Sequence, residues 1–298
     1  MEIGMVFGQK RFASINENLN RRFAEKGVLI AAHRGSWHGN IVQNTTMAFR
    51  AAFMMGADIV ETDTSVTLDG VVYCIHDGAE LQLFGAQKST LAMTSARVDD
   101  YQMRNALDQP NRQHAQQLDE VCAYLCHGEL INIDRSWKAG GLVPGILDKH
   151  PHMLSQAIIK APLRAREVIE QLNEHERKYM FMPICYSLED VEEALSYRDV
   201  NTVGAELIAT RPDGPLLSPE GIAYVHAHGL FAWVNTLVIT DEEPEDTLCA
   251  GLDDDISIRI GPEAGWGRLM EMGADVLQTD WPSLVDKYRG RSAMHGHR

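Results

Sequence analysis

Eight short apolar runs recur along the chain with helical patterns between most of them, and this alternation limits the fold more than any other feature of the sequence. The runs are VLIAAH (28–33), DIVETD (58–63), LINID (130–134), AIIKA (157–161), YMFMPICY (179–186), VNTVGAEL (200–207), LFAWVNTL (230–237) and ADVLQTD (274–280). Apolar runs this short, closed off by polar residues, read as buried strands. The intervening segments REVIEQLNEHE, LEDVEEALSYR and PEGIAYVHAHG have helical spacing. Strands joined by helical crossovers form a parallel sheet, and eight of them close into a (β/α)8 TIM barrel. An open doubly wound sheet is the second reading, but no G-x-G-x-x-G follows the first strand.

Residues 1–27 are expected to form a helical lead-in, with its helix near 12–26, and residues 28–290 a single barrel domain. MAFRAAFMMGAD (47–58) predicts a helix, with Thr45 or Thr46 as N-cap and Gly56 as C-cap. Asp69-Gly70 predicts a hairpin turn directly after the second strand. Two segments exceed a plain repeat. Residues 78–117 read as an insertion after the second strand, and DEEPEDTLCAGLDDD (241–255) lacks the spacing of a calcium loop and reads as a solvated acidic loop.

The formal net charge of -15 argues against a nucleic-acid partner, since a polyanion would be repelled in the absence of a basic patch. Five cysteines, widely spread and without a C-x-x-C pair, fit a reducing compartment. The N-terminal stretch has no apolar leader and no run is long enough to span a bilayer, so the expected location is the cytoplasm, with no stable membrane insertion. Nothing in the sequence sets an oligomeric state.

In such a barrel the C-terminal ends of the strands converge on one mouth, where catalysis is found. Those ends supply His33 and Arg34, Glu61 and Asp63, Asp134, and Lys160, with His76 and Asp77 closing the hairpin. Glu61 and Asp63 are two apart and share a face of their strand. Adjacent like charges need a metal ion, an arginine or a shared proton between them. With Asp134 they make an all-oxygen set suited to one hard divalent cation, Mg²⁺ or Ca²⁺, and histidines beside it are suited to proton transfer.

The stretch AHRG, followed by NTTMAFRAAFMMGADIVETDTSVTLDGVVYCIHD, closely resembles the glycerophosphodiester phosphodiesterase family, and the likeness continues through LDEVCAYL, INID, AWVN and GADVLQTDWPSL, over roughly residues 28–286. The resemblance implies metal-dependent hydrolysis of a small phosphodiester to a phosphomonoester and an alcohol. By position it implies His33 and His76 as the acid/base pair, Arg34 as a phosphate ligand, and Glu61 and Asp63 as metal ligands. Three positions depart from the family pattern. Gln43 replaces a glutamate, Asp134 replaces the glutamate that is the third ligand, and Ser136 replaces a lysine. Lys138 or Lys160 is expected to make up for that lysine at the phosphate, and Trp233 to wall off the leaving group. Two alternatives accompany this reading: a phospholipase D-like activity on lysolipids, and a silent barrel that binds a phosphodiester without cleaving it.

Overall fold

The computed structural model describes residues 5–212, 214–239 and 247–295. Residues 241–246 of the acidic run, and residues 1–4 of the expected lead-in, lie outside them. The strands in chain order are β1 (Leu29–Ala32), β2 (Ile59–Asp63), the short pair β3 (Ser65–Val66) and β4 (Val72–Tyr73), then β5 (Leu130–Asp134), β6 (Ala157–Pro162), β7 (Met180–Cys185), β8 (Asn201–Thr202), β9 (Gly204–Leu207), β10 (Phe231–Asn235) and β11 (Val276–Thr279). β1, β2, β5, β6, β7, β9, β10 and β11 pair in parallel in that order, and β11 returns to β1, so the sheet closes. β8 and β9 are one stave interrupted at Val203. The result is an eight-stave (β/α)8 barrel, with every predicted strand in place.

Because side chains alternate along a strand, the barrel interior can be followed upward two residues at a time. Leu29, Ile59, Leu130, Ile158, Phe231, Trp233 and Val276 point inward and join one apolar cluster at the N-terminal end of the barrel. Two positions further along, the same faces become polar: Glu61 and then Asp63 on β2, Asn132 and then Asp134 on β5, Lys160 on β6, Asn235 on β10, Gln278 on β11. The intervening residues, such as Val60, Ile131 and Ile159, face outward against the helices. One period-2 pattern thus builds a dry floor and a charged mouth.

The helix Ala13–Lys26 closes the floor: Leu19 and Phe23 are buried and join the interior cluster with Phe7. The turn from β3 to β4 carries Gly70 in the left-handed region, as the Asp-Gly signal predicts, and pairs Ser65 with Tyr73. The helix Thr46–Met54 is capped by the Thr45 hydroxyl, which accepts from the Ala48 N–H at 3.2 Å, while Met55 holds the C-cap position and Gly56 follows with φ 91°. Residues 78–117 form a compact layer with its own core of Leu83, Phe84, Met93, Val98 and Met103, packed on Tyr73 and Ile75. Short helices, Glu80–Phe84 and Ser95–Asp99, give this insertion its order.

Candidate active site

The carboxylate cluster follows from strand register. β2 and β5 pair with Asp63 opposite Asp134 and Glu61 opposite Asn132, so three acids share a small volume. One oxygen of each lies within 4.8 Å of the others. Two cations already sit on the outer members. Arg34 brings Nε to 2.9 Å from Asp63 Oδ2, and Lys160 brings Nζ to 2.7 Å from Asp134 Oδ2 and 3.0 Å from Glu206 Oε1. Four carboxylates against two cations leave the cluster short of positive charge.

Glu61 carries the deficit. Its Oε2 accepts the Arg34 N–H at 2.8 Å, but its Oε1 is buried and has no hydrogen-bond partner among the described residues. Burial, together with the negative charges of Asp63 and Asp134, raises the Glu61 pKa well above the usual carboxylate range. For Asp63 burial also acts upward, but the charges of Arg34, His76 and His33 and the Asn44 amide outweigh it, so its pKa is lowered. An orphaned buried carboxylate oxygen, flanked by two further carboxylates, fits a hard divalent cation.

The loop after β1 is locked in a conformation that sets Arg34. Arg34 and Asn44 both lie in the left-handed region, at φ 56° and 57°, which costs a non-glycine residue about 1–3 kcal/mol unless its surroundings impose it. Here they do. The Asn44 N–H donates to the Arg34 carbonyl, and the Asn44 side chain donates to Asp63 Oδ2 while accepting from the Asp63 N–H and the Thr62 hydroxyl. Gly35 (φ 76°) is needed where the loop crosses the next helix, because a Cβ there would stand 2.7 Å from the Ala48 carbonyl carbon. Arg34 Nη1 donates to Gln43 Oε1 at 2.8 Å, so the glutamine that departs from the family pattern still orients the guanidinium.

His33 and His76 approach from different sides. His33 Nδ1 is 2.9 Å from Asp280 Oδ1 on the turn after β11; a proton on Nδ1 leaves Nε2 as a free acceptor. His76 Nε2 is 3.1 Å from Arg135 Nη1, and Arg135 Nη2 also pairs with Asp77. Burial, partly offset by Asp63 and reinforced by the Arg34 and Arg135 charges, lowers the His76 pKa.

Two expected substrate contacts are placed differently. Lys160 is fully buried, and although burial works against its charge, Asp134, Glu206 and Glu61 raise its pKa and keep it protonated. It neutralises the acids of the mouth and is not a free phosphate ligand. Its backbone carbonyl accepts from the Ser136 hydroxyl at 2.6 Å, so the residue standing in for the family lysine braces the lysine of the next strand. Trp233 is also fully buried, among the apolar floor residues, and its indole N–H donates to Gln278 Oε1 at 3.0 Å. A tryptophan so enclosed cannot wall off a leaving group. Lys138 stands at the edge, 3.8 Å from Asp77.

Several residues had no role in the sequence reading. Asp280 was within reach of it, since it ends the last apolar run two residues beyond the inward-facing Gln278. Glu206 ends the inward face of β9 in the same way. Arg135, held at φ 55° after β5, carries no sequence signal.

A closed parallel barrel with carboxylates, arginines and two imidazoles at its C-terminal mouth defines a TIM barrel of the enzyme-bearing kind. The model of the glycerophosphoryl diester phosphodiesterase family matches residues 33–141, the segment that holds Glu61, Asp63, Asp134 and both histidines. A second model, described only as a domain of unknown function, matches residues 181–289. A glycerophosphodiester phosphodiesterase of Caldanaerobacter subterraneus subsp. tengcongensis is 45% identical over 49 residues, 16% of this chain and 20% of that relative. This chain therefore spans about a fifth of the length of the curated relative it matches.

Solved structures extend the likeness over the barrel. A glycerophosphoryl diester phosphodiesterase from Parabacteroides distasonis superposes with a TM-score of 0.64 at 16% identity, covering 90% of this chain and 87% of that one. One from Thermotoga maritima gives 0.61 at 20%, over 88% and 98%. An Oleispira antarctica phosphodiesterase in complex with the product sn-glycerol-3-phosphate gives 0.61 at 13%, over 90% and 96%. Residues 33–141 are thus similar to the glycerophosphoryl diester phosphodiesterase family, and these solved structures share the barrel fold of the whole chain.

Proposed function

We propose that this protein is a divalent-cation-dependent phosphoric diester hydrolase that cleaves a small, glycerophosphodiester-like substrate to a phosphomonoester and an alcohol. The observation that carries the reading is the buried, unpartnered Glu61 Oε1 between Asp63 and Asp134. Glu61, Asp63 and Asp134 would hold the cation, which when bound supplies positive charge to offset that growing on the phosphoryl oxygens. Arg34, fixed by Gln43 and Asp63, contributes a second positive group at the same oxygens. His33, with Asp280 behind its Nδ1, and His76 form the acid/base pair: one imidazole takes the proton of the attacking hydroxyl and the other gives a proton to the departing alkoxide, so that one P–O bond forms and one breaks. Lys160, 2.7 Å from Asp134 Oδ2, holds that carboxylate in place.

The family match and the product-bound Oleispira antarctica relative support a soluble, glycerophosphate-containing substrate. No helix among the described residues is long and apolar enough to cross a membrane, and all five cysteines are free, which suits a cytoplasmic site of action. The test is hydrolysis of bis-p-nitrophenyl phosphate and a panel of glycerophosphodiesters after EDTA treatment and after adding back Mg²⁺ or Ca²⁺, in the wild type and in His33→Ala. Turnover restored by metal and lost in the variant is the expected result. Folded, metal-binding protein with no turnover on any diester would overturn the hydrolase reading.

A further inference from the structure

The acidic run at 241–255 ends in three aspartates, and one of them is not solvated. Asp254 is buried at the N-terminus of the helix Asp254–Arg259, where its carboxylate meets the ends of two barrel strands. Its Oδ1 accepts from the Thr236 hydroxyl at 2.6 Å, the Trp266 indole at 2.8 Å and the Thr279 hydroxyl at 2.8 Å. Its Oδ2 is 2.9 Å from the same Thr279 hydroxyl and accepts the Asp280 backbone N–H at 3.1 Å. The Asp254 N–H in turn donates to the Thr236 carbonyl at 2.7 Å. Asp253 beside it only caps its helix, accepting from the Ile256 N–H at 2.9 Å.

These contacts converge on one turn. Thr279, Asp280 and Trp281 leave β11, and the Trp281 N–H donates to the Thr279 hydroxyl at 2.9 Å. The same turn carries the Asp280 carboxylate that holds His33 Nδ1, and the His33 N–H donates to the Thr279 carbonyl at 3.2 Å. Asp280 itself is half-exposed, and its carboxylate is held by the hydrogen bond to His33. Its position therefore depends on its backbone, and the backbone is held by Asp254.

We infer that Asp254 is a positioning residue for His33: by accepting the Asp280 N–H and the Thr279 hydroxyl it sets the turn from which Asp280 orients the imidazole. This gives the segment matched by a model of unknown function, residues 181–289, a definite part in the site built around residues 33–141. It rests on the hydrolase reading only for its kinetic consequence, because the His33–Asp280 geometry is measurable without turnover.

Asp254→Asn keeps the shape but can turn an amide NH2 toward the Asp280 N–H, donor against donor. The test compares this variant with Asp253→Ala, which removes the helix cap alone, and reads two quantities. The first is the downfield Nδ1–H proton resonance of His33, assigned by its absence in His33→Ala. The second is kcat and KM on bis-p-nitrophenyl phosphate with added Mg²⁺. Asp254→Asn should move or broaden the resonance and lower kcat on the order of tenfold with KM unchanged, the scale seen when an outer hydrogen-bond partner of a site is lost. Asp253→Ala should leave both at wild-type values. If Asp254→Asn does not fold, the isosteric Thr279→Val removes the hydroxyl shared by Asp254 and Trp281 and should shift the resonance in the same direction. An unmoved resonance in a folded Asp254→Asn or Thr279→Val protein overturns the inference. If the wild type proves inactive, the resonance alone decides, so failure of the hydrolase reading and failure of this one remain distinct.

Discussion

The first three staves of the barrel and the last three face the same mouth but are built on opposite principles. β1, β2 and β5 crowd Glu61, Asp63 and Asp134 together, leave Glu61 Oε1 without a partner, and are followed by arginines in left-handed backbone at residues 34 and 135. β9, β10 and β11 carry polar side chains that satisfy one another: Asn235 donates to Glu206, the Trp233 indole to Gln278, and Asp254 collects three side-chain donors from behind the strand ends. The difference teaches where work is done. Under the proposed function, unmatched charge and imposed backbone mark the side where the reaction would run, and a saturated network marks the side that holds it still.

The comparison can be broken or sharpened by experiment, and the largest effect belongs to the unmatched side. Replacing His33 by Ala should lower kcat about 10²–10⁴-fold, the usual contribution of a positioned acid or base, with little change in the unfolding midpoint. A variant that keeps wild-type turnover would remove His33 from the chemistry. Lys160 joins the two sides. Lys160→Met strands Asp134 and Glu206 without a counter-charge and should cost about 3–5 kcal/mol of stability in urea unfolding, as breaking a buried ion pair does. Adding Glu206→Gln should recover part of that loss, and a single variant as stable as wild type would show that the pair is not what holds the mouth together.

On the saturated side, burial pushes Asp254 up to about 6 despite its donors. The folded form therefore keeps its proton at a pH where the unfolded chain, with an ordinary value near 3.8, has already lost it. Stability from this group is present below about pH 4 and is lost as pH rises through 6, a change of about 3 kcal/mol. The urea midpoint of Asp254→Asn should fall less steeply than that of wild type between pH 4 and 6; equal slopes would exclude the carboxylate as the source. For the carboxylate cluster, a divalent cation at a hundred times its dissociation constant should stabilise the fold by about 2.7 kcal/mol. That increment should vanish in Glu61→Gln, measured as the EDTA-sensitive part of the melting temperature. The smallest effect is Asp253→Ala, at about 1 kcal/mol for a lost N-cap, with turnover unchanged.

Much of this architecture is readable from the chain alone. All eight staves, the Asp69-Gly70 hairpin and the Thr45 cap follow from local pattern, because short buried strands and turn residues are selected by backbone geometry and period. Glu61, Asp63 and Asp134 were equally legible, since residues at matching strand ends must meet once a barrel closes. Trp233 and Lys160 were placed correctly on their strands and given the wrong surroundings. Height within a barrel depends on how neighbouring staves are staggered, and one strand's sequence does not encode that.

What the sequence determined by itself was therefore the barrel, its polar mouth and the identity of the acids and histidines that line it, since each is a consequence of periodicity and position along a strand. Only the tertiary structure decided who partners whom: Lys160 with Asp134 and Glu206, Asp280 with His33, Arg135 with His76, and Asp254 beneath the turn that carries Asp280. These pairs are 26 to 247 residues apart or lie on loops without a repeating pattern. Hydrogen bonds reach about 3 Å and ignore sequence distance, so they become visible only when the closed sheet has fixed which strand ends are neighbours.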